Sequence, residues 1–376
     1  MPVSPSIDIF CRVIDNYGDI GVCWRLARQL SEKAGPVRLW VDDLLSFARI
    51  APGVDPQASV QTLDHIIVFR WDEAAENPAQ PHAPADLVIE AFACSPPETY
   101  ITRMSPGQVW INLEYLSAED WVESCHGLPS MQANGLRKFF FFPGFTSRTG
   151  GLLREAGLLE ARDAWQSSPN ARMELLSGLG IEQEWLERLR AGAMLVYVYC
   201  YPQAPLPALI DALSQQGRDT LILMAQGIWP SALPDSVSGG CTVGVRTHEF
   251  VDQATFDRLL WSSDLNIVRG EDSLIRAIWA ARPMIWQPYL QEDDAHMDKL
   301  TAWLARSPYP VDVHQLLTAW NRVEAGTLIE ALDRLLKPEV FSHWETVAQD
   351  WSERLALEPD LATRLVMFHA DHSQTR

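Results

Sequence analysis

Short apolar runs alternate with helical patterns in two series along this chain, and this alternation limits its possible folds more than any other feature. In the first half, the strand-like runs lie at residues 7–13, 37–41, 65–69, 87–91, 109–113 and 139–142. In the second half, they lie at residues 194–201, 220–225, 241–245, 265–268 and 284–288. Short, continuously apolar strands separated by helices are typical of parallel sheets that are covered on both faces. The sequence therefore predicts an α/β protein.

The two series are separated by residues 150–190, which are polar and helix-like and contain no strand-like run. A chain of 376 residues is long enough for two domains. We predict a Rossmann-like domain over residues 1–175 and a second one over 190–338, followed by helices over 339–376 that pack back on the first domain. A ligand would then bind in the cleft between the two domains, at the carboxyl ends of the strands.

Charge and cysteine content exclude several classes of protein. The chain has 30 Lys and Arg residues against 49 Asp and Glu residues, which gives a net charge of −19. Such a chain is a poor binder of nucleic acid or of anionic lipid, and its charge would instead attract a basic partner. Its six cysteines form no CxxC motif, no signal peptide is visible, and the apolar runs are too short to cross a bilayer. We therefore expect a reduced, cytoplasmic protein that contacts neither nucleic acid nor a membrane.

Several common catalytic motifs are missing from the sequence. There is no G-x-G-x-x-G after the first strand, no Walker A motif, no G-x-S-x-G and no H-E-x-x-H. These absences weaken the dehydrogenase, P-loop kinase, hydrolase and metalloprotease hypotheses. An enzyme that uses carboxylates and helix N-termini remains compatible with the sequence.

The first candidate site is the loop after the first strand, IDNYGDIG at residues 14–21. Asp15 and Asp19 place two carboxylates four residues apart around Gly18, at the carboxyl end of a predicted strand. Either aspartate could instead cap the helix that follows, with the glycines serving the turn. One carboxylate can cap while the other does chemistry, so both roles stay open.

The second candidate site is RGEDS at residues 269–273, between a predicted strand and a predicted helix. A helix N-terminus favours a phosphate, to which Arg269 could add a cation and Ser273 a hydroxyl. Glu271 and Asp272 would repel a phosphate and are better suited to accept hydrogen bonds from sugar hydroxyls. An acid-rich first helical turn is also common without any ligand.

The third candidate is a set of aromatic and amide side chains near the ends of late strands: Tyr197, Tyr199, Tyr201, Phe250, Gln253, Tyr289 and Gln291. Such groups can sandwich a base and hydrogen-bond to its edge. Tyrosines at alternate positions share one face of a strand and usually pack there, so packing is the alternative. His296, near Asp294 and Asp298, is more typical of a solvated surface than of a metal site, and we predict no metal site.

Taken together, these motifs resemble those of a known family. The chain resembles EarP, the protein-arginine rhamnosyltransferases that modify bacterial elongation factor P, at residues 10–30 (FCRVIDNYGDIGVCWRLARQL), 144–146, 251–259, 269–278 (RGEDSLIRAI) and 287–289. The resemblance runs from end to end, and the combination of IDNYGDIG with RGEDS is highly specific.

The resemblance implies a GT-B glycosyltransferase fold of two facing Rossmann-like domains. It implies dTDP-β-L-rhamnose as donor, an arginine side chain of folded elongation factor P as acceptor, inversion at the anomeric carbon and no cofactor. Asp15, Asp19 and Glu271 match the essential acidic residues of the family. The implied nucleotide-sugar contacts are Asn16, Tyr17, Gly18, Tyr197, Phe250, Gln253, Arg269, Asp272, Ser273 and Tyr289.

The implied chemistry needs one in-line displacement by a weak nucleophile, because a guanidinium is protonated and its lone pair is delocalised. One carboxylate can orient it while another accepts a proton as the C–N bond forms; Asp19 is assigned as the base, although Asp15 can share the role. The helix N-terminus near Ser273 and the charge of Arg269 are assigned to the departing diphosphate, so we expect no metal. Two alternatives stay open: a GT-B transferase with another nucleotide sugar or acceptor, and a non-catalytic module that binds a translation factor.

Overall fold

A computed structural model of the protein describes residues 5–14, 17–71, 82–230, 233, 236–238 and 241–373. The chain forms two compact units, one of Met1–Ala156 with Ala356–Arg376 and one of Gly157–Leu355. Each unit is built around its own largely parallel sheet with helices packed on it. The α/β class predicted from the alternation is therefore confirmed.

The described part of the first unit contains an eight-stranded sheet. Its strands are β1 (Ile7–Cys11), β2 (Val37–Val41), β3 (Val60–Leu63), β4 (Ile66–Arg70), β5 (Leu87–Ala91), β6 (Val109–Leu113), β7 (Pro129–Met131) and β8 (Arg137–Phe141). They lie in the order β3-β4-β2-β1-β5-β6-β8-β7. The connections therefore run to one side of β1 first and then to the other, so a topological switch point lies between β1 and β5.

Burial explains which strands of this sheet the sequence predicted. All residues of β1, β5 and β6 are buried, and each of these strands is apolar except for one polar residue, Asp8, Glu90 and Asn112 respectively. The edge strands β3 and β7 pair antiparallel with β4 and β8, and their residues are exposed or half-buried. They carry no apolar run, and the sequence analysis did not find them.

The helices that follow these strands in the first unit are α1 (Gly18–Lys33), α2 (Leu44–Ile50), α3 (Glu98–Ile101) and α4 (Val122–Cys125). Helix α1 buries Ile20, Cys23, Leu26 and Leu30, which recur every three or four residues on one face. Asp43 is the N-cap residue of α2, and its carboxylate accepts hydrogen bonds from the N–H groups of Leu45 and Ser46.

The described part of the second unit contains a six-stranded sheet. Its strands are β9 (Met194–Val198), β10 (Thr220–Ala225), β11 (Ser236–Ser238), β12 (Thr242–His248), β13 (Leu265–Arg269) and β14 (Met284–Gln287). They lie in the order β11-β12-β10-β9-β13-β14, and all pairs except β11 with β12 are parallel. The switch point of this sheet lies between β9 and β13.

Helices cover this second sheet and extend beyond it. They are α5 (Leu158–Ser167), α6 (Ala171–Gly178), α7 (Gln183–Arg190), α8 (Leu206–Ser214), α9 (Gln253–Ser262), α10 (Asp272–Ala280), α11 (Ala295–Arg306), α12 (Val311–Asn321), α13 (Ala325–Leu335) and α14 (Pro338–Ala356), with a 3₁₀ turn at Glu292–Asp294. The last helix of the chain, α15 (Leu361–Ser373), belongs to the first unit.

The units divide at residues 156/157 and 355/356, whereas the sequence suggested boundaries near 175 and 338. Helix α5 belongs to the second unit because Trp165 Nε1 donates to Ser262 Oγ of α9 at 3.0 Å. Helix α14 belongs there as well, since Trp351 packs on Trp303 with ring centroids 5.5 Å apart. Only α15 joins the first unit, where the Phe368 ring packs on β8.

Candidate active site

In the first unit, Asp19 lies in the first turn of α1, just beyond the carboxyl end of β1, and is 2% exposed. Its Oδ2 accepts a hydrogen bond from the backbone N–H of Ile14 at 2.8 Å. Its Oδ1 accepts a hydrogen bond from the Tyr115 hydroxyl at 3.3 Å. The carboxylate is thus held by the loop residue Ile14 on one side and by Tyr115, which follows β6, on the other.

This arrangement differs from the capping role that the sequence left open for Asp19. Tyr17 occupies the N-cap position of α1 and Gly18 is the first helical residue. Asp19 instead ties the preceding loop to the helix through Ile14. Asp15 and Asn16 lie outside the described residues.

Two aromatic side chains that the sequence analysis did not single out support Asp19. The Tyr115 ring stacks on the Phe92 ring with centroids 4.3 Å apart and planes 12° apart. Phe92 follows β5 and Tyr115 follows β6, and β5 lies between β1 and β6 in the sheet. The three residues therefore meet at the carboxyl edge of the sheet, beside its switch point. Their signal in the sequence was their position just after two apolar runs.

A further carboxylate, Glu114, comes directly after β6 and was also missed. Its Oε1 accepts a hydrogen bond from Asn112 Nδ2 at 2.5 Å, and Asn112 Oδ1 accepts one from the Ala93 N–H at 3.0 Å. Burial raises the pKa of the Glu114 carboxyl above its ordinary value. The described carboxyl edge of the first sheet is thus lined by acidic and aromatic groups.

In the second unit, Arg269 ends β13 and its guanidinium is packed between two tyrosines. The guanidinium carbon lies 4.6 Å from the ring centroid of Tyr199 and 4.6 Å from that of Tyr201. Its Nη1 donates to the carbonyl oxygen of Cys200 at 3.3 Å. These partners follow β9, so a cation is fixed at the switch point of the second sheet.

The turn after Arg269 leads directly into helix α10. Gly270 has a φ of +63°, a left-handed conformation that favours glycine. Its carbonyl oxygen accepts a hydrogen bond from Trp286 Nε1 at 2.7 Å. Asp272 is the first helical residue, and Ser273 is buried, with its hydroxyl donating to the Arg269 carbonyl oxygen. The α10 N-terminus and Arg269 thus lie side by side at the carboxyl edge of the sheet.

Glu271 occupies the N-cap position of α10 and pairs with a residue that the sequence analysis missed. Its Oε1 lies 2.5 Å from Nζ of Lys299 on α11. The two side chains are 19% and 22% exposed. Lys299 lies 28 residues further along the chain, and its local sequence gave no signal for this pairing.

For Tyr197, the structure shows the packing role that the sequence gave as an alternative. It is 1% exposed on β9, and its hydroxyl lies 3.3 Å from His248 Nε2. Its ring also packs edge-on against Phe256 of α9. Burial raises the pKa of Tyr197 and lowers that of His248, so both side chains are neutral at neutral pH.

The remaining predicted contacts surround the same edge of the second sheet. Phe250 is half-buried between β12 and α9, and Gln253 is the first residue of α9. Tyr289 follows β14, is 56% exposed, and packs edge-on against Tyr201 with centroids 5.7 Å apart. Through Tyr201, the structure therefore brings Tyr289 together with Arg269.

His296 is buried, at 6% exposure, so the solvated position predicted for it is wrong. Among the residues that the structure describes, no three His, Cys, Asp or Glu side chains are grouped in a way that could hold a metal ion. Over those same residues, no helix has the length and apolar character needed to cross a membrane.

A sequence profile of the family described as Elongation-Factor P (EF-P) rhamnosyltransferase EarP matches residues 7–370 of this chain. The chain belongs to the EarP family. Relatives named protein-arginine rhamnosyltransferase are 45% identical in Pseudomonas aeruginosa, over 97% of this chain and 99% of the relative, and 34% identical in Neisseria meningitidis, over 98% of each. The resemblance seen in the motifs is thus confirmed.

Solved structures agree with membership of the EarP family. One comes from work on the structural basis for EarP-mediated arginine glycosylation of translation elongation factor EF-P. Its chain is 32% identical to this one, with a TM-score of 0.64 over 98% of this chain and 99% of that one. A glycosyltransferase from Rickettsia africae, 9% identical, has a TM-score of 0.50 over 99% of this chain and 100% of its own, and shows the fold alone. The predicted GT-B fold is confirmed.

Proposed function

We propose that this protein transfers L-rhamnose from dTDP-β-L-rhamnose to an arginine side chain of translation elongation factor P, with inversion at the anomeric carbon and without a metal ion. The observation that carries the proposal is the match to the EarP family over nearly the whole chain. The arrangement of acidic groups in the first unit and of a fixed cation beside a helix N-terminus in the second is compatible with it.

On the acceptor side, the acidic edge of the first unit suits a cationic arginine side chain. A carboxylate can bind a guanidinium through two hydrogen bonds and hold one nitrogen in line with the anomeric carbon. We assign proton acceptance to Asp19, whose carboxylate is held in place by Ile14 and Tyr115. Asp15, assigned by the family resemblance, would orient the guanidinium or share the proton.

The transfer step is a single displacement. A guanidinium nitrogen forms a bond to the anomeric carbon while the bond from that carbon to the diphosphate oxygen breaks, so dTDP leaves with the electron pair. The nitrogen loses its proton to the carboxylate as the new bond forms, because an arginine is not deprotonated beforehand at neutral pH. The product arginine keeps its positive charge, and inversion gives an α-linked rhamnose.

On the donor side, the growing charge on the diphosphate needs hydrogen-bond donors and cations that are already in place. The N–H groups at the start of α10 and the guanidinium of Arg269 supply these. Glu271 accepts hydrogen bonds from sugar hydroxyls in this assignment. We assign stacking on the nucleotide base to Tyr289, which is exposed beside Tyr201.

The deciding experiment is intact-protein mass spectrometry of unmodified elongation factor P after incubation with this protein and dTDP-β-L-rhamnose. We expect a gain of one deoxyhexose that peptide mapping assigns to a single arginine, and NMR of the product should show the inverted anomeric configuration. UDP- and GDP-sugars serve as competing donors. Absence of transfer from fresh dTDP-β-L-rhamnose to a folded acceptor would refute the proposal.

Metal independence is tested in the same assay. Protein treated with EDTA and then freed of it should transfer rhamnose at the same rate, because Arg269 and α10 supply the positive potential. Loss of transfer after EDTA treatment, restored by magnesium, would overturn this part of the proposal.

A further inference from the structure

The ion pair between Glu271 and Lys299 offsets a negative charge at the start of α10. A diphosphate bound there would lie close to the carboxylate of Glu271 at the N-cap position, and like charges at short range repel. The Lys299 ammonium lies 2.5 Å from that carboxylate and offsets its charge. Because both side chains are mostly buried, solvent screens this interaction less than it screens surface pairs.

We propose that Lys299 is a positioning residue for donor binding: it fixes the Glu271 carboxylate and cancels its charge, so that a nucleoside diphosphate can bind at the α10 N-terminus. The inference rests on the proposed function, since it takes a nucleotide-diphosphate sugar as donor. It adds a residue from α11 to a site whose other groups come from the ends of β9, β12, β13 and β14 and from the starts of α9 and α10.

The proposed role of Lys299 predicts how the charges of Lys299 and Glu271 affect nucleotide binding. If Lys299 acts by offsetting the charge of Glu271, removing the ammonium alone increases the negative charge beside the diphosphate. Removing both charges together relieves that repulsion. If Lys299 instead bound the diphosphate directly, removing Glu271 as well would not restore nucleotide binding.

The test measures binding of dTDP and of thymidine by isothermal titration calorimetry to wild-type protein, Lys299→Met, Lys299→Arg and the double variant Lys299→Met/Glu271→Gln. Thymidine lacks phosphates and reports on the base site alone. We expect Lys299→Met to weaken dTDP binding about tenfold or more while thymidine affinity changes less than twofold. Lys299→Arg should retain dTDP binding within about threefold, because the cation is kept.

The double variant decides between the two roles of Lys299. We expect it to recover most of the dTDP affinity lost in Lys299→Met, and yet to transfer no rhamnose, because the sugar contact of Glu271 is gone. A matched control is Lys337→Met, which removes a lysine of a solvent-exposed pair with Asp333, 3.9 Å apart, and should change neither dTDP affinity nor transfer. Thermal melting of every variant identifies any that fails to fold.

The inference is overturned if Lys299→Met binds dTDP as tightly as the wild-type protein does. It is also overturned if the double variant binds dTDP as weakly as Lys299→Met does. Either result leaves the proposed function intact if the wild-type protein still modifies elongation factor P. Wild-type protein that binds neither dTDP nor its rhamnose conjugate would instead refute the donor assignment itself. Lys299→Arg covers the case in which Lys299→Met is too unstable to measure.

Discussion

Replacing Asp19 with asparagine removes the proposed base with little change in shape. The side-chain oxygen of Asn can still accept the hydrogen bond from the Ile14 N–H, and its amide nitrogen can donate to the Tyr115 hydroxyl. The variant therefore separates the chemistry of the carboxylate from its support of the β1–α1 loop.

The expected loss of turnover in Asp19→Asn is much larger than its expected loss of stability. General base catalysis is worth about 10² to 10⁴ in rate, so the turnover number of Asp19→Asn should fall at least about 100-fold. Replacing hydrogen bonds to a charged group by neutral ones lowers the free energy of unfolding by about 1 kcal/mol. Since domains are stable by about 5–15 kcal/mol, the variant should stay folded.

The assay follows rhamnose transfer to elongation factor P by intact mass at saturating donor, alongside calorimetric binding of dTDP and chemical unfolding. Asp43→Asn is the matched control, because Asp43 is a capping carboxylate of α2 in the same unit. It should lose a similar, small amount of stability and keep its turnover number. Binding of dTDP should be unchanged in both variants, since the diphosphate contacts are assigned to the second unit.

Two outcomes would refute this reasoning about Asp19. If Asp19→Asn keeps more than a tenth of the wild-type turnover number, Asp19 is not the base, and Asp15 becomes the leading candidate. If Asp19→Asn loses folding, dTDP binding and elongation factor P binding together, while Asp43→Asn does not, Asp19 serves the structure of the loop.

Three further predictions test other parts of the structure. Arg269→Leu should weaken dTDP binding at least tenfold in calorimetry, with thymidine binding unchanged, because a fixed cation is lost. Trp344→Ala empties a fully buried site and should lower the free energy of unfolding by about 3–5 kcal/mol in urea titrations. Burial lowers the pKa of His126 from 6.5 to about 4, and its Nδ1 accepts the Phe142 N–H. The unfolded state thus binds more protons than the folded state between these values, so this stabilisation is complete above pH 6.5 and declines towards pH 4. His126→Gln should show a shallower loss of stability over that range.

The alternation of apolar runs predicted the α/β class and the central strands because parallel strands that are buried on both faces are mostly apolar. It could not predict β3 and β7, whose exposed or half-buried residues carry no such run. The unit boundaries also differed from prediction. Helices α5 and α14 are assigned to the second unit by contacts such as that of Trp165 with Ser262, and such long-range packing leaves no local pattern in the sequence.

At the site, the sequence identified residues in loops that follow predicted strands, because ligands of α/β folds bind there. Asp19 and Arg269 do lie at such strand ends. Tyr115 and Lys299 were found only in the structure, since Tyr115 reaches Asp19 across 96 residues and Lys299 reaches Glu271 across 28. Position on the sheet predicts where a site lies, whereas the partners of each side chain depend on tertiary packing.

The charges of the two sites also fit the two substrates in opposite ways. The acceptor is cationic, and the described edge of the first unit presents the carboxylates of Asp19 and Glu114. The proposed donor is anionic, and in the second unit the acid Glu271 is paired with Lys299 while Arg269 ends β13. Because a guanidinium must lose a proton as it attacks, an acidic environment that binds the cation also supplies the acceptor for that proton. A neutralised acid beside the diphosphate, by contrast, can contact sugar hydroxyls without repelling the leaving group.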